Sequence, residues 1–360
     1  MAGFHHALFN FASAARIPVL SKTLAFFGST ALTAPVYVYE WIPDTGFGTR
    51  LADGSNTTTV NGLDVMRINN AGTMLGVVSG SSPFVHVFPI TSSGIGTKFS
   101  NPGTLPTGTG RNIGFSPDGS AVAVAHATTP AITAYPISPA GFGTKYANPA
   151  TALPTGTNNS AQWTPAGNEI ATSGSTAPRV AVYNWNNGFG TRQTNSFTES
   201  SIAMQSGSWN STGTKFITGG GAAANYGPLV FDHTVGSGFS GGGGPASPIP
   251  NTIYAARFNP TDDVMSVAHS GTPFISAYQW NNSSGIGTKY NNPAVLPGNY
   301  TTAAPFSVSG TDMIVAVTSN PPGATAYKWS TASGFGTRYA NPATVTGAST
   351  RGAAVQGFYS

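Results

Sequence analysis

Acidic side chains are the groups that a hydrolase or a metal site needs first, and the chain holds only eleven of them in 360 residues. Five fall in predicted turns, where Asp accepts hydrogen bonds from nearby backbone N–H groups: Asp44, Asp118, Asp262, Asp263 and Asp312. The other six stand at different positions of the units described below: Glu40, Asp53, Asp64, Glu169, Glu199 and Asp232. Calcium needs about six to eight converging oxygen ligands. No converging set is visible, so the sequence predicts no catalytic residue, no metal site, no cofactor and no enzymatic activity.

Two histidines occupy equivalent positions. His126 and His269 each end a Val-Ala-His run four residues before a proline, where other copies place Thr30, Ser79 or Thr318. Hydroxyl and imidazole groups both donate and accept hydrogen bonds, so one interpretation is that this position satisfies a turn. The other is that both imidazoles contact a ligand, and a glycan on this face is the candidate.

Six basic residues recur at one position, and an aromatic residue follows four of them. They are Arg50, Lys98, Lys145, Arg192, Lys289 and Arg338. Cations of this kind protect an exposed edge strand from pairing and lie along aromatic surface. The alternative is an electropositive rim that binds an acidic partner surface. The sequence is compatible with both edge protection and partner binding.

The first 22 residues lie outside the repeated part of the sequence. Phe4, Leu8 and Phe11 follow one another at helical spacing before Pro18 ends the pattern. This segment is predicted either to pack on its own domain or to dock onto a partner, and the three apolar residues are candidate partner contacts.

The elements that position these residues are copies of one motif, Gly-Phe/Ile-Gly-Thr-Lys/Arg. Copies begin at Gly46, Gly94, Gly141, Gly188, Gly285 and Gly334, with a degenerate copy at Gly238, and successive copies start 47 to 50 residues apart. A period of about 40–50 residues that contains several short strands is typical of a β-propeller. The fold class is therefore predicted to be all-β, a seven-bladed β-propeller.

The best-preserved unit spans residues 111–147 and reads as four strands separated by turns, the first turn being Ser-Pro-Asp-Gly. Six units are complete, and the seventh is split between the two ends of the chain. One C-terminal strand and three N-terminal strands are predicted to share a blade and to close the ring. The predicted domains are an extension over residues 1–22 and a propeller over residues 23–360.

The amino-acid composition argues against several classes of partner and environment. Charged residues make up 7% of the chain, and the net charge of +4 is spread along it, which does not indicate nucleic-acid binding. There is no cysteine, so no disulfide can form. No apolar run reaches the roughly 20 residues of a membrane span.

The order of first strand, Ser-Pro-Asp-Gly turn, small-residue second strand and third strand ending in Tyr-x-Trp resembles the WD-repeat superfamily and its bacterial and viral relatives. It departs from true WD repeats because Trp41, Trp185, Trp280 and Trp329 are not followed by Asp. The Gly-Phe-Gly-Thr-Lys-Tyr-x-Asn-Pro variant is similar to propellers of tailed bacteriophages and some bacteria. Lactonase-like propellers, which hold a divalent cation among channel carboxylates and Asn, are another family that this fold resembles.

These resemblances, the polar uncharged surface and the missing acidic cluster imply a non-enzymatic structural or binding protein of a virion. Capsid decoration and tail or host attachment are both open, with other virion proteins or a host glycan as partners. A secreted, extracellular propeller that binds carbohydrate or mediates adhesion is the alternative, and a metal-dependent lactonase-like enzyme is the third.

Overall fold

The computed structural model describes residues 20–29, 36–51, 66–150, 155–197, 201–221, 227–318, 323–343 and 350–359. These residues form twenty-eight strands and no helix. No helix in this part of the chain is long and apolar enough to cross a membrane.

The strands form groups of four, and each group is one antiparallel meander. The group that joins the two ends of the chain contains β28 (Thr350–Tyr359), β1 (Leu20–Ser29), β2 (Val36–Ile42) and β3 (Gly46–Arg50). The next contains β4 (Met66–Ile68), β5 (Met74–Val78), β6 (Val85–Thr91) and β7 (Gly94–Ile95). The third contains β8 (Gly110–Phe115), β9 (Ala121–His126), β10 (Ile132–Ser138) and β11 (Gly141–Phe142).

Four further groups follow in chain order. One contains β12 (Asn158–Trp163), β13 (Glu169–Gly174), β14 (Val180–Trp185) and β15 (Phe189–Arg192). The next contains β16 (Met204–Trp209), β17 (Lys215–Gly220), β18 (Leu229–His233) and β19 (Phe239–Gly243). It joins β20 (Ile253–Phe258), β21 (Val264–His269), β22 (Ile275–Asn281) and β23 (Gly285–Lys289) through one parallel bridge. The last contains β24 (Thr301–Ala303), β25 (Asp312–Val317), β26 (Ala324–Ser330) and β27 (Gly334–Arg338).

The turn between β8 and β9 shows why the chain folds locally in this way. Ser-Pro-Asp-Gly closes with a hydrogen bond of 2.9 Å from the Gly119 N–H to the Ser116 carbonyl. Gly119 has φ +72°, a conformation that a residue with a side chain rarely adopts. The strand that follows, Ala-Val-Ala-Val-Ala-His, is buried along its whole length. Small and β-branched residues suit such a strand because both of its faces are packed.

Aromatic residues of the third strands build the packing between groups. The Trp185 ring lies 5.1 Å from that of Phe189 in its own group and 5.1 Å from that of Tyr146 in the preceding group, both edge to face. Trp329 repeats this arrangement with Phe335 and Tyr290 at 5.1 and 5.0 Å. The large apolar side chains therefore lie between sheets, where each aromatic pair adds about 0.5–1.5 kcal/mol beyond area burial.

The first strands of the groups contact one another in the order β28, β4, β8, β12, β16, β20, β24 and back to β28. The all-β class predicted from the sequence is confirmed, and the four-stranded sheets are consistent with a propeller. Residues 1–19, most of the predicted extension, lie outside the described residues, and β1 begins at Leu20.

Candidate functional site

A cavity of about 460 Å³ opens where the first strands end. Residues on or just after β4, β12, β16, β20, β24 and β28 line it, so six of the groups contribute to one space. Its walls combine aromatic side chains, including Trp209, Phe258 and Phe306, with charged groups. Concave sites with apolar walls and a few converging polar groups are typical of small-molecule binding.

Two arginines line this cavity from equivalent positions. Arg67 and Arg257 each stand two residues before the asparagine that opens the first turn of their units, Asn69 and Asn259. Both side chains are half-buried, and one guanidinium nitrogen of Arg67 donates to the Met66 carbonyl at 3.1 Å. Guanidinium groups stay protonated in proteins, so the cavity carries two fixed positive charges. An anion is attracted into such a cleft.

Asp262 adds a carboxylate to the same cavity. Its Oδ2 accepts a hydrogen bond of 2.7 Å from the backbone N–H of Ser211, in the turn after β16. Asp262 itself has φ +54°, which the turn holds through its N–H bond of 3.1 Å to the Asn259 carbonyl. The carboxylate thus accepts from a backbone N–H, as predicted for a turn residue, but this N–H belongs to a neighbouring group of strands and not to its own turn. Asp262 also lines the cavity.

A polar network fills the space between the first strands beyond the cavity. Nε2 of Gln162 donates to Oδ1 of Asn112 at 2.8 Å, and Nδ2 of Asn112 reaches the Ser206 hydroxyl at 3.3 Å. Asn112 and Ser206 belong to β8 and β16, which are separated by β12. Their contact therefore crosses the space that the described first strands surround.

The residues of the cavity do not fit a divalent cation site. Among the described residues no group of three or more His, Cys, Asp or Glu side chains could hold a metal ion. Asp262 is the one carboxylate among the residues that line the cavity. Calcium would need about six to eight oxygen ligands, so no chemical step is assigned to a metal here.

The recurring basic residues lie half-buried on or just after the fourth strands. Four of them donate to the Asn of the following Asn-Pro: Lys98 to Asn101 at 2.5 Å, Lys145 to Asn148 at 2.6 Å, Lys289 to Asn292 at 2.8 Å and Arg338 to Asn341 at 2.8 Å. The guanidinium of Arg50 lies 4.5 Å from the centre of the Tyr37 ring. Burial raises the pKa of Tyr183, and Arg192 lies close enough to oppose that rise. The local bonds agree with the edge interpretation, and partner binding through these residues stays a prediction.

The two candidate histidines are fully buried. His126 and His269 are 0% and 1% exposed. Their Nε2 atoms lie 2.9 Å from the Thr133 hydroxyl and 3.1 Å from the Ser276 hydroxyl. Glycan contact through these rings stays a prediction, and their burial weighs against it. Phe4, Leu8 and Phe11, the candidate contacts of the extension, lie outside the described residues.

Sequence reasoning missed the cavity residues. Arg67 and Arg257 are 190 residues apart, and the signal that connects them is the shared position, Arg-Ile-Asn against Arg-Phe-Asn. Asp262 was assigned to a turn, and nothing in the sequence indicates which turns meet around a cavity.

The fold defines an all-β, propeller-like class of protein, and comparisons with known proteins agree with it. No family model and no curated protein matches the sequence. Among solved structures, a β-propeller domain from Myceliophteria thermophila matches with 13% identity and a TM-score of 0.55, over 80% of this chain and 89% of that one.

More similar structures carry lactonase names. A candidate 6-phosphogluconolactonase of Bacteroides fragilis matches with 13% identity and a TM-score of 0.73, over 93% of this chain and 98% of that one. The periplasmic gluconolactonase of Pseudomonas aeruginosa matches with 14% identity and a TM-score of 0.72, over 94% of this chain and 99% of that one. At such identities the likeness shows the fold alone.

These matches overturn two predictions. The predictions of a non-enzymatic protein and of a structural or binding role in a virion are wrong, because three solved structures that match 93–94% of this chain are named as lactonases, two of them as candidates. The polar surface and the repeat motif misled the interpretation, since neither reports on the residues that line a cavity. The predicted partners and locations stay predictions.

Proposed function

We propose that the chain is a lactonase-like hydrolase that opens sugar lactones in the cavity lined by Arg67, Arg257 and Asp262. The observation that carries the proposal is this combination in one cavity: two fixed cations beside one carboxylate. The likeness of the fold to proteins named as lactonases supports the choice of substrate class.

The scaffold we propose is a seven-bladed propeller formed by residues 20–359. The seven groups of four strands and the unbroken sequence of contacts between their first strands support it. Ring closure through the shared group is supported by ladder pairing of β28 with β1, in which Phe26 lies opposite Ala354 and Ala25 opposite Val355. A closed ring leaves no first strand without neighbours, which holds the walls of the cavity at fixed positions.

The chemistry assigns one role to each charged group. The Asp262 carboxylate takes a proton from a water molecule, whose oxygen attacks the lactone carbonyl carbon. The oxyanion that forms lies against the guanidinium of Arg257, which belongs to the same unit as Asp262. The ring C–O bond then breaks, and the leaving oxygen receives the proton from Asp262, so that lactone and water give a hydroxy acid. General base catalysis contributes about 10²–10⁴-fold, and one oxyanion donor about 10²–10³-fold.

Arg67 approaches the same cavity from another unit. We assign it to an anionic group of the substrate away from the reacting carbonyl, such as a phosphate. A guanidinium binds phosphate or carboxylate through two parallel hydrogen bonds, which orients the substrate as well as attracting it.

Hydrolysis of glucono-1,5-lactone and of its 6-phosphate by the purified full chain tests the proposal. Acid release is followed in a pH-stat and compared with the spontaneous rate in the same buffer. We expect saturable hydrolysis above that rate. Hydrolysis of both lactones at the buffer rate by folded protein would reject the proposal.

A further inference from the structure

The first strands carry an irregularity at one register in six of the groups. Pairing passes from Gly110 to Asn112 in β8 and from Ile253 to Ala255 in β20, and one residue is left out of the ladder each time. The same shift occurs in β12, β16, β24 and β28. The residues left out, here named the bulge cluster, are Arg111, Asn159, Gln205, Tyr254, Thr302 and Arg351, with Ser206 beside Gln205 in the wider bulge of β16.

A bulge releases one residue from the ladder and re-aims its side chain, and bulges are frequent beside functional sites. Here the released residues are polar or aromatic in all six groups. The register that follows holds a small residue in five of the six strands, such as Ala255 and Gly352. The repeated bulge therefore places hydrogen-bonding side chains at one level of the inner strands.

This level lies at the opposite end of the first strands from the cavity. Tyr254 precedes Arg257 by three residues, which corresponds to about 10 Å along a strand. Asn112 and Gln162, joined by a hydrogen bond of 2.8 Å, lie between the two levels. The bulge cluster and the cavity are thus two separate sites.

Two of the six residues are arginines with incompletely used donors. The Nε atoms of Arg111 and Arg351 are buried and have no hydrogen-bond partner among the described residues. A buried donor of this kind calls for a partner, which a water molecule or a ligand supplies. An oxyanion is the ligand that a guanidinium group binds best.

Tyrosines complete the site. Tyr254 interacts electrostatically with Arg351 although β20 and β28 are separated by β24, so both side chains reach the space that the first strands surround. The rings of Tyr254 and Tyr300 lie 5.6 Å apart. Burial raises the pKa of Tyr254, Tyr300 raises it further and Arg351 opposes both, so the phenol stays a neutral hydrogen-bond donor at neutral pH.

We propose that the bulge cluster binds an oxyanion carried by a small sugar, a phosphate or a carboxylate. The two guanidinium groups neutralise the anion, while Asn159, Gln205 and Tyr254, which are partly exposed, contact the sugar. Thr302 is fully buried and donates to the Thr350 carbonyl, so it supports the wall of the site. The site does not depend on lactone hydrolysis in the cavity, and either can exist without the other.

Calorimetric titration of the full chain with glucose 6-phosphate, which has no lactone ring, tests this site. Glucose and inorganic phosphate are titrated as separate halves of the ligand. We expect glucose 6-phosphate to bind, glucose to bind more weakly, and Arg111→Gln or Arg351→Gln to raise the dissociation constant about 10- to 100-fold.

The matched control is Arg338→Gln on a fourth strand, which should leave this binding unchanged, while Arg67→Gln reports separately on binding of the sugar phosphate in the cavity. Arg111→Lys keeps the charge and serves if Arg111→Gln does not fold, as judged by its thermal melt. It should weaken binding less than the loss of the charge would. Absence of binding by the native chain, or loss of binding in Arg67→Gln but not in Arg111→Gln or Arg351→Gln, would overturn the proposal.

Discussion

Nε2 of His233 lies 3.0 Å from Oε2 of Glu169, and both side chains are excluded from solvent. Nδ1 of the same ring lies 2.7 Å from the Gly213 carbonyl, which only accepts hydrogen bonds, so Nδ1 carries a proton. Oε1 of the same carboxylate accepts a hydrogen bond of 2.9 Å from the Gly236 N–H and another from the Gln193 side-chain amide. The pair connects β18 to β13 of the neighbouring group, and it is a structural element between sheets.

Removing this carboxylate should cost much of the stability. Glu169→Ala removes the carboxylate that His233 contacts and that accepts from the Gln193 amide, and breaking a buried pair costs about 3–5 kcal/mol. Glu169→Gln should cost less, because the amide keeps the shape of the side chain and an oxygen that accepts from the Gly236 N–H. Urea unfolding measures both. The control is Asp232→Ala, which removes the half-exposed Lys215–Asp232 pair and should cost less than about 1 kcal/mol. An equal loss in Glu169→Ala and the control would contradict the prediction.

Glu169 and a second buried acid, Asp312, show which features of these sites the sequence could predict and which it could not. Glu169 stands six residues after Trp163, which ends the first strand of its unit, and Asp312 stands six residues after Phe306, which follows the first strand of its unit. The two acids are therefore equivalent, yet only Asp312 was assigned to a turn. In the structure both are buried, and Asp312 accepts from the Tyr339 hydroxyl at 2.6 Å. A repeat alignment could have grouped the two acids.

The partners of these acids could not be found in this way. The Trp41 indole N–H lies 3.3 Å from Asp312, 271 residues away in the chain. Such contacts depend on how sheets pack, and local pattern does not encode that packing. Strands and turns were predictable because glycine, proline and alternating apolar residues act within a few positions. The cavity and the bulge cluster depend on the meeting of six groups, so they were not.

Stability should fall in mildly acidic solution because of three buried histidines. Burial, the largest cause in each case, lowers the pKa of His86, His126 and His269 to about 4. Between pH 4 and about 6.5 the unfolded chain then binds more protons than the folded chain, so the free energy of unfolding decreases as the pH falls through this window. Each histidine contributes on the order of 3 kcal/mol at full protonation.

His126→Gln should remove about one third of this histidine-dependent loss. The measurement is urea unfolding at pH 7 and pH 4.5 for the native chain and the variant. Thr318→Ala is the matched control, since Thr318 occupies the equivalent position in a later unit, does not titrate and donates its hydroxyl to the Thr350 carbonyl at 3.0 Å. A variant that loses as much stability on acidification as the native chain would show that His126 is not the titrating group.

The C-terminal strand should be required for cooperative folding. β28 pairs with β1, whose residues Ala25, Phe26 and Phe27 are fully buried. Deletion of residues 353–360 removes most of this pairing and uncovers the β1 edge, so we expect a broad or absent unfolding transition in circular dichroism. Deletion of Ser360 alone is the control. A truncated chain that melts like the full chain would mean that closure through this strand does not support the fold.

Asp262 should act in hydrolysis without supporting the fold. Asp262→Asn keeps an oxygen that accepts from the Ser211 N–H but removes the base, so kcat should fall about 10²–10⁴-fold with an unchanged thermal melt. Asp118→Asn alters a turn residue that does not line the cavity, and it should leave kcat unchanged. Equal activity in the two variants would exclude Asp262 as the base.

The two cavity arginines should differ in their kinetic effects. Arg257 shares a unit with Asp262 and is assigned to the oxyanion, so Arg257→Gln should lower kcat about 10²–10³-fold with both lactones. Arg67 is assigned to the remote anion, so Arg67→Gln should raise KM for the 6-phosphate while values for the unphosphorylated lactone stay the same. Steady-state kinetics with both substrates separates these effects, and Arg338→Gln controls for loss of a distant charge. If Arg67→Gln lowered kcat equally with both lactones, Arg67 would stabilise the transition state, and the roles of the two arginines would have to be reassigned.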